Sequence, residues 1–299
     1  MKPSSPTLAA AVRSRTGCAW SRARKLCEEG RVLVDGERCL DPAARVSPDA
    51  LITVDERGPR REPGPLARDA IVFYDRDLVV VDKPSGMLSV ADVAGNKDTL
   101  ADHVRTLLRR MNAGADAPLG VVHRLDRDTS GLMVFTRGAL AKRELAARFR
   151  AHDVERVYLA LAHGAVTEAK METDLVLDRG DGLRGSHGHF RRASAPAPRE
   201  ARHAVTYVRP LEALRGATLV ECRLETGRQH QIRIHLSELG HPLVGETVYI
   251  RDHPGPRIDA ARVMLHAQHL GFTHPRTGAR LSWRSDAPAD FTHLLEALR

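Results

Sequence analysis

The stretch His123 to Gly131, HRLDRDTSG, places one histidine, two arginines and two aspartates within nine residues, and the apolar run Leu132-Met133-Val134-Phe135 follows at once. Val121-Val122 before it and Leu132–Phe135 after it read as strands, so the charged residues are expected on a connecting loop. A loop held by a rigid sheet is a common place for catalytic groups. Asp126 stands between Arg124 and Arg127, whose charges should keep its carboxylate ionised near neutral pH. Such a carboxylate can act as a nucleophile toward a sugar or a base. The same composition also suits a structural ion-pair cluster, and the nine residues alone leave both readings open.

Elements able to position such a loop are legible on both sides of it. IVFYDRDLVVVDKP gives two β-rich runs, Ile71–Tyr74 and Leu78–Val81, separated by a turn. DTLADHVRTLLRRM reads as a helix with Asp98 or Thr99 as N-cap, and from Thr99 the residue Asp102 completes a capping box. Its buried stripe is Leu100, Val104, Leu107 and Leu108, with Gly114 beyond its end. In RVYLALAHG the alternation of Val157, Leu159 and Leu161 puts Tyr158, Ala160 and Ala162 on the opposite face of a strand. Gln229 to Leu239 reads as a helix burying Ile232, Leu236 and Leu239, with Arg233 one step off that stripe and placed to face the charged loop. Strand and helix signals interleave irregularly. The expected fold class is therefore α+β, a mixed, largely antiparallel sheet flanked by helices and loops, preceded by a small α/β unit.

That preceding unit begins with a helix that turns Ala23, Leu26 and Cys27 inward, directs Arg22, Arg24 and Lys25 mostly outward, and stops at Gly30. RVLVDGE then reads as a strand entering an Asp35-Gly36 turn, and LITVD as a closing strand. So small a unit buries little core and is expected to be a binding module. RGPRREPGPLAR, Arg57 to Arg68, has no apolar period and reads as a linker stretch. The expected division is a binding domain over 1–62, a linker over 63–68 and a catalytic domain over 69–299.

With 46 basic against 38 acidic residues the chain carries a net charge of +8, which points to an anionic partner, nucleic acid first. Coding bias would account for arginine replacing lysine, but not for the excess over acids. No 18-residue apolar run occurs, so no membrane span is expected. The N-terminal residues show no secretory segment. Cys18, Cys27, Cys39 and Cys222 form no CxxC pair and read as thiols of a reducing compartment, so a cytoplasmic location is expected.

Five ordered segments resemble the Rlu-type pseudouridine synthases, which act on large-subunit ribosomal RNA and in some members on transfer RNA. They are DKPSGMLSV, HRLDRDTSGL, RVYLALAHG, LETGRQHQIRIHLSELGHPLVGE and LHAQHLGFTHPRTG, and together they cover nearly all of 69–299. Residues Ser21 to Asp55 resemble the RNA-binding module named after ribosomal protein S-four. The resemblance implies a uridine isomerase in which Asp126 is the essential catalyst, Arg233 its partner and Tyr158 the ring that packs on the base. It also implies that Arg124 fills the space left by an extruded uridine, with His123 and Thr129 of the same loop contacting RNA. Arg22, Arg24 and Lys25 become phosphate contacts. The implied partner is RNA, with ribosomal RNA the leading candidate and transfer RNA open, and the protein is expected to work as a monomer.

No cofactor or metal is implied, since uracil is detached, rotated and rejoined without oxidation. His187 with His189, His230 with His235, and His266 with His269 have no Cys or carboxylate at ligand spacing. A non-catalytic RNA-binding or ribosome-assembly factor, or a glycosidase using Asp126 and Asp128, are the rival readings. Three stretches depart from the family pattern: Ile250 stands where glycine is usual, 178–202 is long and polar and expected to be a mobile loop, and RSDAPADF is a loose version of the usual ending.

Overall fold

The computed structural model describes residues 6–28, 31–39, 42, 44–47, 49–54, 66–91, 98–111, 113, 119–179, 183–189, 200–250 and 253–299. The chain divides into two compact units, Met1–Gly64 and Pro65–Arg299.

In the first unit, helices α1 (Leu8–Thr16) and α2 (Trp20–Glu28) precede the strands β1 (Val32–Val34), β2 (Glu37–Arg38) and β3 (Ile52–Val54). The antiparallel sheet has the order β2-β1-β3. Thr7 caps α1 by accepting from the Ala10 N–H at 3.3 Å. Leu8, Val12, Ala23, Leu26, Cys27, Val32 and Ile52 form the buried core, as the helical spacing requires. The β1–β2 turn places Asp35 at φ 52° and Gly36 at φ 85°, a geometry that Asp-Gly supplies with little strain. Arg24 is exposed and Arg22 half-buried, while the side chain of Lys25 and the expected stop at Gly30 lie outside the described residues.

The second unit contains β4 (Ile71–Tyr74), β5 (Leu78–Lys83), α3 (Leu100–Arg110), β6 (Gly120–Val121), β7 (Ser130–Thr136), α4 (Ala139–Arg150), β8 (Glu155–His163) and β9 (Ala169–Val176). It continues with β10 (Gly185–Ser186), β11 (Arg202–Leu214), β12 (Ala217–Leu224), α5 (Gln231–Glu238), β13 (Leu265–Thr273), β14 (Arg280–Arg284) and α6 (Ala289–Leu298). Among the described residues, β4 to β14 form one sheet along the path β10-β9-β11-β12-β8-β13-β7-β5-β4, with β14 on β13 and β6 on β7. The pair β13–β7 is parallel and the other strand pairs are antiparallel, so the sheet is mixed and largely antiparallel as expected.

Alternation on β8 sends Tyr158, Ala160 and Ala162 into the largest core, with Val220, Cys222, Ile232 and Leu265, while Leu161 packs on the other face with Phe291. Helix α3 starts as the capping box requires, with Thr99 as N-cap and Asp102 closing the box. Ala101 is buried beside the expected stripe. Gly114 lies outside the described residues.

Several element boundaries fall elsewhere than the residue pattern predicts. Leu66 is buried in the large core, so the second unit starts inside the expected linker and not at residue 69; residues 63–65 are not described. Helix α5 begins at Gln231, two residues late, because His230 adopts a left-handed φ of 59°. It is buried on more than one side, since Ile234 and His235 are covered as well, while Leu239 is only partly buried. Residues 178–202 are not wholly irregular: Gly185-Ser186 pairs with β9, and Ser186 N donates to Glu238 Oε1 at 2.8 Å. Residues 180–182 and 190–199 of that stretch are not described.

Candidate active site

The charged loop leaves β6 and enters β7, and neighbouring side chains hold its backbone. Ser89 Oγ donates to Leu125 O at 2.7 Å and accepts from Leu125 N at 3.1 Å. The Lys83 ammonium, fully buried, donates to Arg127 O at 2.7 Å and to Pro84 O at 2.9 Å. Burial pushes the Lys83 pKa down to about 7, against an opposing pull from Asp128 and Asp126. Arg262 donates to Asp128 O at 3.0 Å and is itself anchored by Asp290 of α6, so the C-terminal helix also steadies the loop. Gly131 has φ 109°, and a Cβ there would lie 2.3 Å from Ala267 O, so the loop can join β13 only through glycine.

Asp126 is the carboxylate at the centre of this arrangement, but Arg124 and Arg127 are not its ion-pair partners. Both are exposed, and the groups beside Asp126 come from the α5 end of the unit instead. Arg233 Nη1 is 3.9 Å from Asp126 Oδ2, and His230 Nε2 is 3.9 Å from Oδ1. Arg233 is held from behind by Glu246, to which Nε and Nη2 each donate at 2.7 Å. That fork leaves Nη1 for Asp126. Glu246 is buried and also accepts the N–H groups of Thr247, Val248 and Tyr249. Burial alone would lower the Arg233 pKa, yet the hydrogen bonds and charge of Glu246 reverse this and raise it. For Glu246 burial raises the pKa, and Arg233 with the backbone donors brings it below the ordinary value. His230 shares a hydrogen bond with the Tyr249 hydroxyl at 2.8 Å, and burial lowers its pKa despite the nearby Asp126, so it stands as neutral imidazole near pH 7.

Asp126, Arg233 and His230 line a cleft of about 430 Å³ that also contains Tyr158, Arg124, Arg156 and Arg228. Burial pushes the Tyr158 pKa up to about 12, so the ring meets the cleft with its hydroxyl protonated. Asp126, Tyr158 and Arg233 thus converge as expected, and Arg124 lies at the same cleft. Thr129 is buried at its edge and its N–H donates to Asp126 O at 3.2 Å. His123 lines the cleft, yet its Nε2 accepts from Val134 N at 3.0 Å and its ring stacks on Phe149, so its first task is to hold the loop against β7 and α4. Arg22, Arg24 and Lys25 belong to the other unit. Glu246, His230, Lys83 and Arg156 were not assigned to this site from the sequence, although all four lie within the quoted motif segments. The contacts of Glu246 with Arg233 and of Lys83 with Arg127 are not local.

The histidine pairs are engaged elsewhere: His235 with Thr173 and Thr206, His266 with Ser130 and Ser285, His269 with Glu155. Asp75, Asp77 and His274 come within reach of one another, but Arg276 forks onto Asp77 at 2.6 and 2.7 Å and His274 bonds Asp75 at 2.9 Å. This group staples the β4–β5 turn to the turn after β13. Ile250 is buried beside Tyr249, where glycine would leave a void.

A cleft with one carboxylate, a clamped arginine and a protonated tyrosine suits nucleophilic or base chemistry on a heterocycle that departs as an anion. The family model described as RNA pseudouridylate synthase matches residues 77–238, and the S4 domain model matches residues 9–52. The chain is 36% identical over 276 residues to ribosomal large subunit pseudouridine synthase D of Zymomonas mobilis, covering 88% of this chain and 84% of that one. It is 36% identical to the protein of the same name from Pseudomonas aeruginosa, covering 93% of this chain and 87% of that one. The structure of human RNA pseudouridylate synthase domain containing 4 is similar in fold, with a TM-score of 0.62 at 23% identity over 77% of this chain and 93% of that one. The chain belongs to the RNA pseudouridylate synthase family and is an isomerase of uridine in RNA, carrying an S4 RNA-binding domain ahead of its catalytic unit.

Proposed function

We propose that this protein converts specific uridines of large-subunit ribosomal RNA to pseudouridine, with Asp126 as the essential catalyst. The observation that carries the reading is the meeting of Asp126, Arg233 and Tyr158 in one cleft, in a chain whose relatives are named for the large ribosomal subunit. The target uridine leaves its helix, at a cost of a few kcal/mol, and Arg124 at the cleft mouth offsets part of it by occupying the vacated space. Asp126 acts on the ribose or the base so that the C1′–N1 bond breaks. Uracil turns, C1′ bonds to C5, and the C5 proton is replaced by one on N1, so no atom is gained or lost. Arg233 steadies the carboxylate and the negative charge that develops on uracil, while Tyr158 packs against the ring.

No cofactor enters this chemistry, and the S4 domain supplies phosphate contacts through Arg22, Arg24 and Lys25. The protein acts as a monomer in the cytoplasm; among its described residues no helix is long and apolar enough to cross a membrane. The test is to map pseudouridine with a selective chemical label in ribosomal and transfer RNA from cells with and without the protein. Sites lost from large-subunit RNA support the reading. Loss confined to transfer RNA replaces the substrate but not the reaction.

A further inference from the structure

Arg156, two residues before Tyr158 on β8, projects to the same face and lines the same cleft. It is only 6% exposed. One nitrogen, Nη2, donates to Glu225 O at 2.7 Å, and the guanidinium lies 5.5 Å from the centre of the Phe149 ring. Its Nε is buried with no hydrogen-bond partner, and among the described residues no carboxylate pairs with it. A buried charge without a counter-charge is costly, and proteins keep one where a ligand supplies the missing partner. The neighbourhood supplies a second cation. Burial lowers the Arg156 pKa, Tyr158 opposes this, and the nearby cation of Arg228 lowers it again. Arg228 is exposed, is tethered through Nε to His203 O at 2.9 Å, and has no carboxylate partner among the described residues. Gly227 leaves the access open, because a Cβ there would lie 2.4 Å from Arg156 Nη1.

We infer that Arg156 and Arg228 form a phosphodiester subsite that grips the RNA backbone beside the target uridine. Two guanidiniums offer the paired donors that match the two non-bridging oxygens of a phosphate. Its charge supplies what the buried guanidinium lacks. Arg156 is thus a binding residue for the phosphate beside the nucleotide whose base packs on Tyr158, and the inference rests on the RNA reading alone, not on the role of Asp126.

The test uses the full-length protein and a stem-loop RNA carrying the mapped uridine, with Arg156→Gln, Arg156→Lys and Arg228→Ala. Arg156→Gln and Arg228→Ala are each expected to weaken RNA binding about tenfold and to lower the slope of log affinity against log salt by up to about 0.7 to 0.9, with a larger effect on KM than on kcat. Arg156→Lys should restore part of the binding. An uncharged methylphosphonate at one phosphate next to the uridine should weaken the wild type at least as much, and weaken Arg156→Gln by less, since only the Arg228 contact is left to lose. If Arg156→Gln lowers the rate while binding and salt slope stay at wild-type values, the guanidinium serves the base and the inference falls. It falls equally if neutral phosphates weaken Arg156→Gln as much as wild type at every position. Should Arg156→Gln not fold, Arg228→Ala, altered at an exposed side chain, decides by the same comparison.

Discussion

Glu246 grips Arg233 through two hydrogen bonds of 2.7 Å and turns the remaining guanidinium nitrogen toward Asp126. This is a positioning relationship, because Glu246 is fully covered and meets neither substrate nor solvent.

Glu246→Gln keeps the size and loses the charge. Removing one partner of a buried pair costs about 3–5 kcal/mol, and the retained amide should hold the loss toward the lower end. Urea denaturation measures this. The rate at saturating RNA should fall about tenfold or more with binding nearly unchanged, since Arg233 loses its aim and not its charge. A variant with wild-type rate would show that Asp126 does not need a fixed Arg233.

Lys83 holds the loop backbone on the opposite side. Lys83→Met leaves Arg127 O and Pro84 O without their donor and should cut the rate about tenfold through a looser Asp126. The wild-type ammonium titrates near 7 in the fold, below its ordinary 10.5, so between these values the unfolded chain binds a proton that the native protein lacks. Stability therefore rises with pH across that window, by on the order of 5 kcal/mol from this group. Lys83→Met should lose that rise. Parallel stability–pH curves for the two proteins would contradict it.

His123 gives a slope on the acid side. Burial pushes its pKa down to about 3, and its Nε2 must stay unprotonated to accept from Val134 N. Between pH 6.5 and 3 the unfolded chain gains the proton first, so stability falls as pH falls, by about 2 kcal/mol at pH 5. His123→Gln, which keeps an acceptor and does not titrate, should flatten that part of the curve in thermal melts. An unchanged curve would mean that the ring is protonated in the fold.

The N-terminal unit provides a test of the division of labour. Deleting residues 1–62 removes Arg22, Arg24 and Lys25 and leaves the cleft residues in place. Binding should weaken and the salt slope should become shallower by roughly one to three units, while isomerisation survives at saturating RNA. A truncated protein with the full slope would move the RNA anchor elsewhere.

Where the determinants are local, the sequence was sufficient. Thr99 and Asp102 mark the start of α3 because a capping box spans four residues, and Tyr158 is placed by the two-residue period of its strand. The HRLDRDTSG loop is visible as a charge cluster between apolar strands. Its fixation is not: Lys83 meets Arg127 across 44 residues, and Arg156 meets Glu225 across 69. Adjacency in sequence makes Arg124 and Arg127 the charges nearest Asp126, whereas the family resemblance points to Arg233. The loop leaves both flanking arginines exposed, and Arg233 stands beside Asp126 with His230, which the resemblance did not mark. The left-handed His230 that starts α5 late carries no sequence mark, since such a conformation is set by its surroundings.

The role of Asp126 is tested most directly by Asp126→Asn, which preserves size and removes charge and nucleophilicity. The measurement is single-turnover formation of pseudouridine on a prefolded stem-loop, with RNA affinity titrated on the same preparation. Asp126→Asn is expected to form no pseudouridine while binding RNA nearly as tightly as the wild type, because phosphate contacts dominate affinity. Turnover within about tenfold of wild type, a barrier change of only about 1.4 kcal/mol, would contradict the assignment of Asp126 as the essential catalyst.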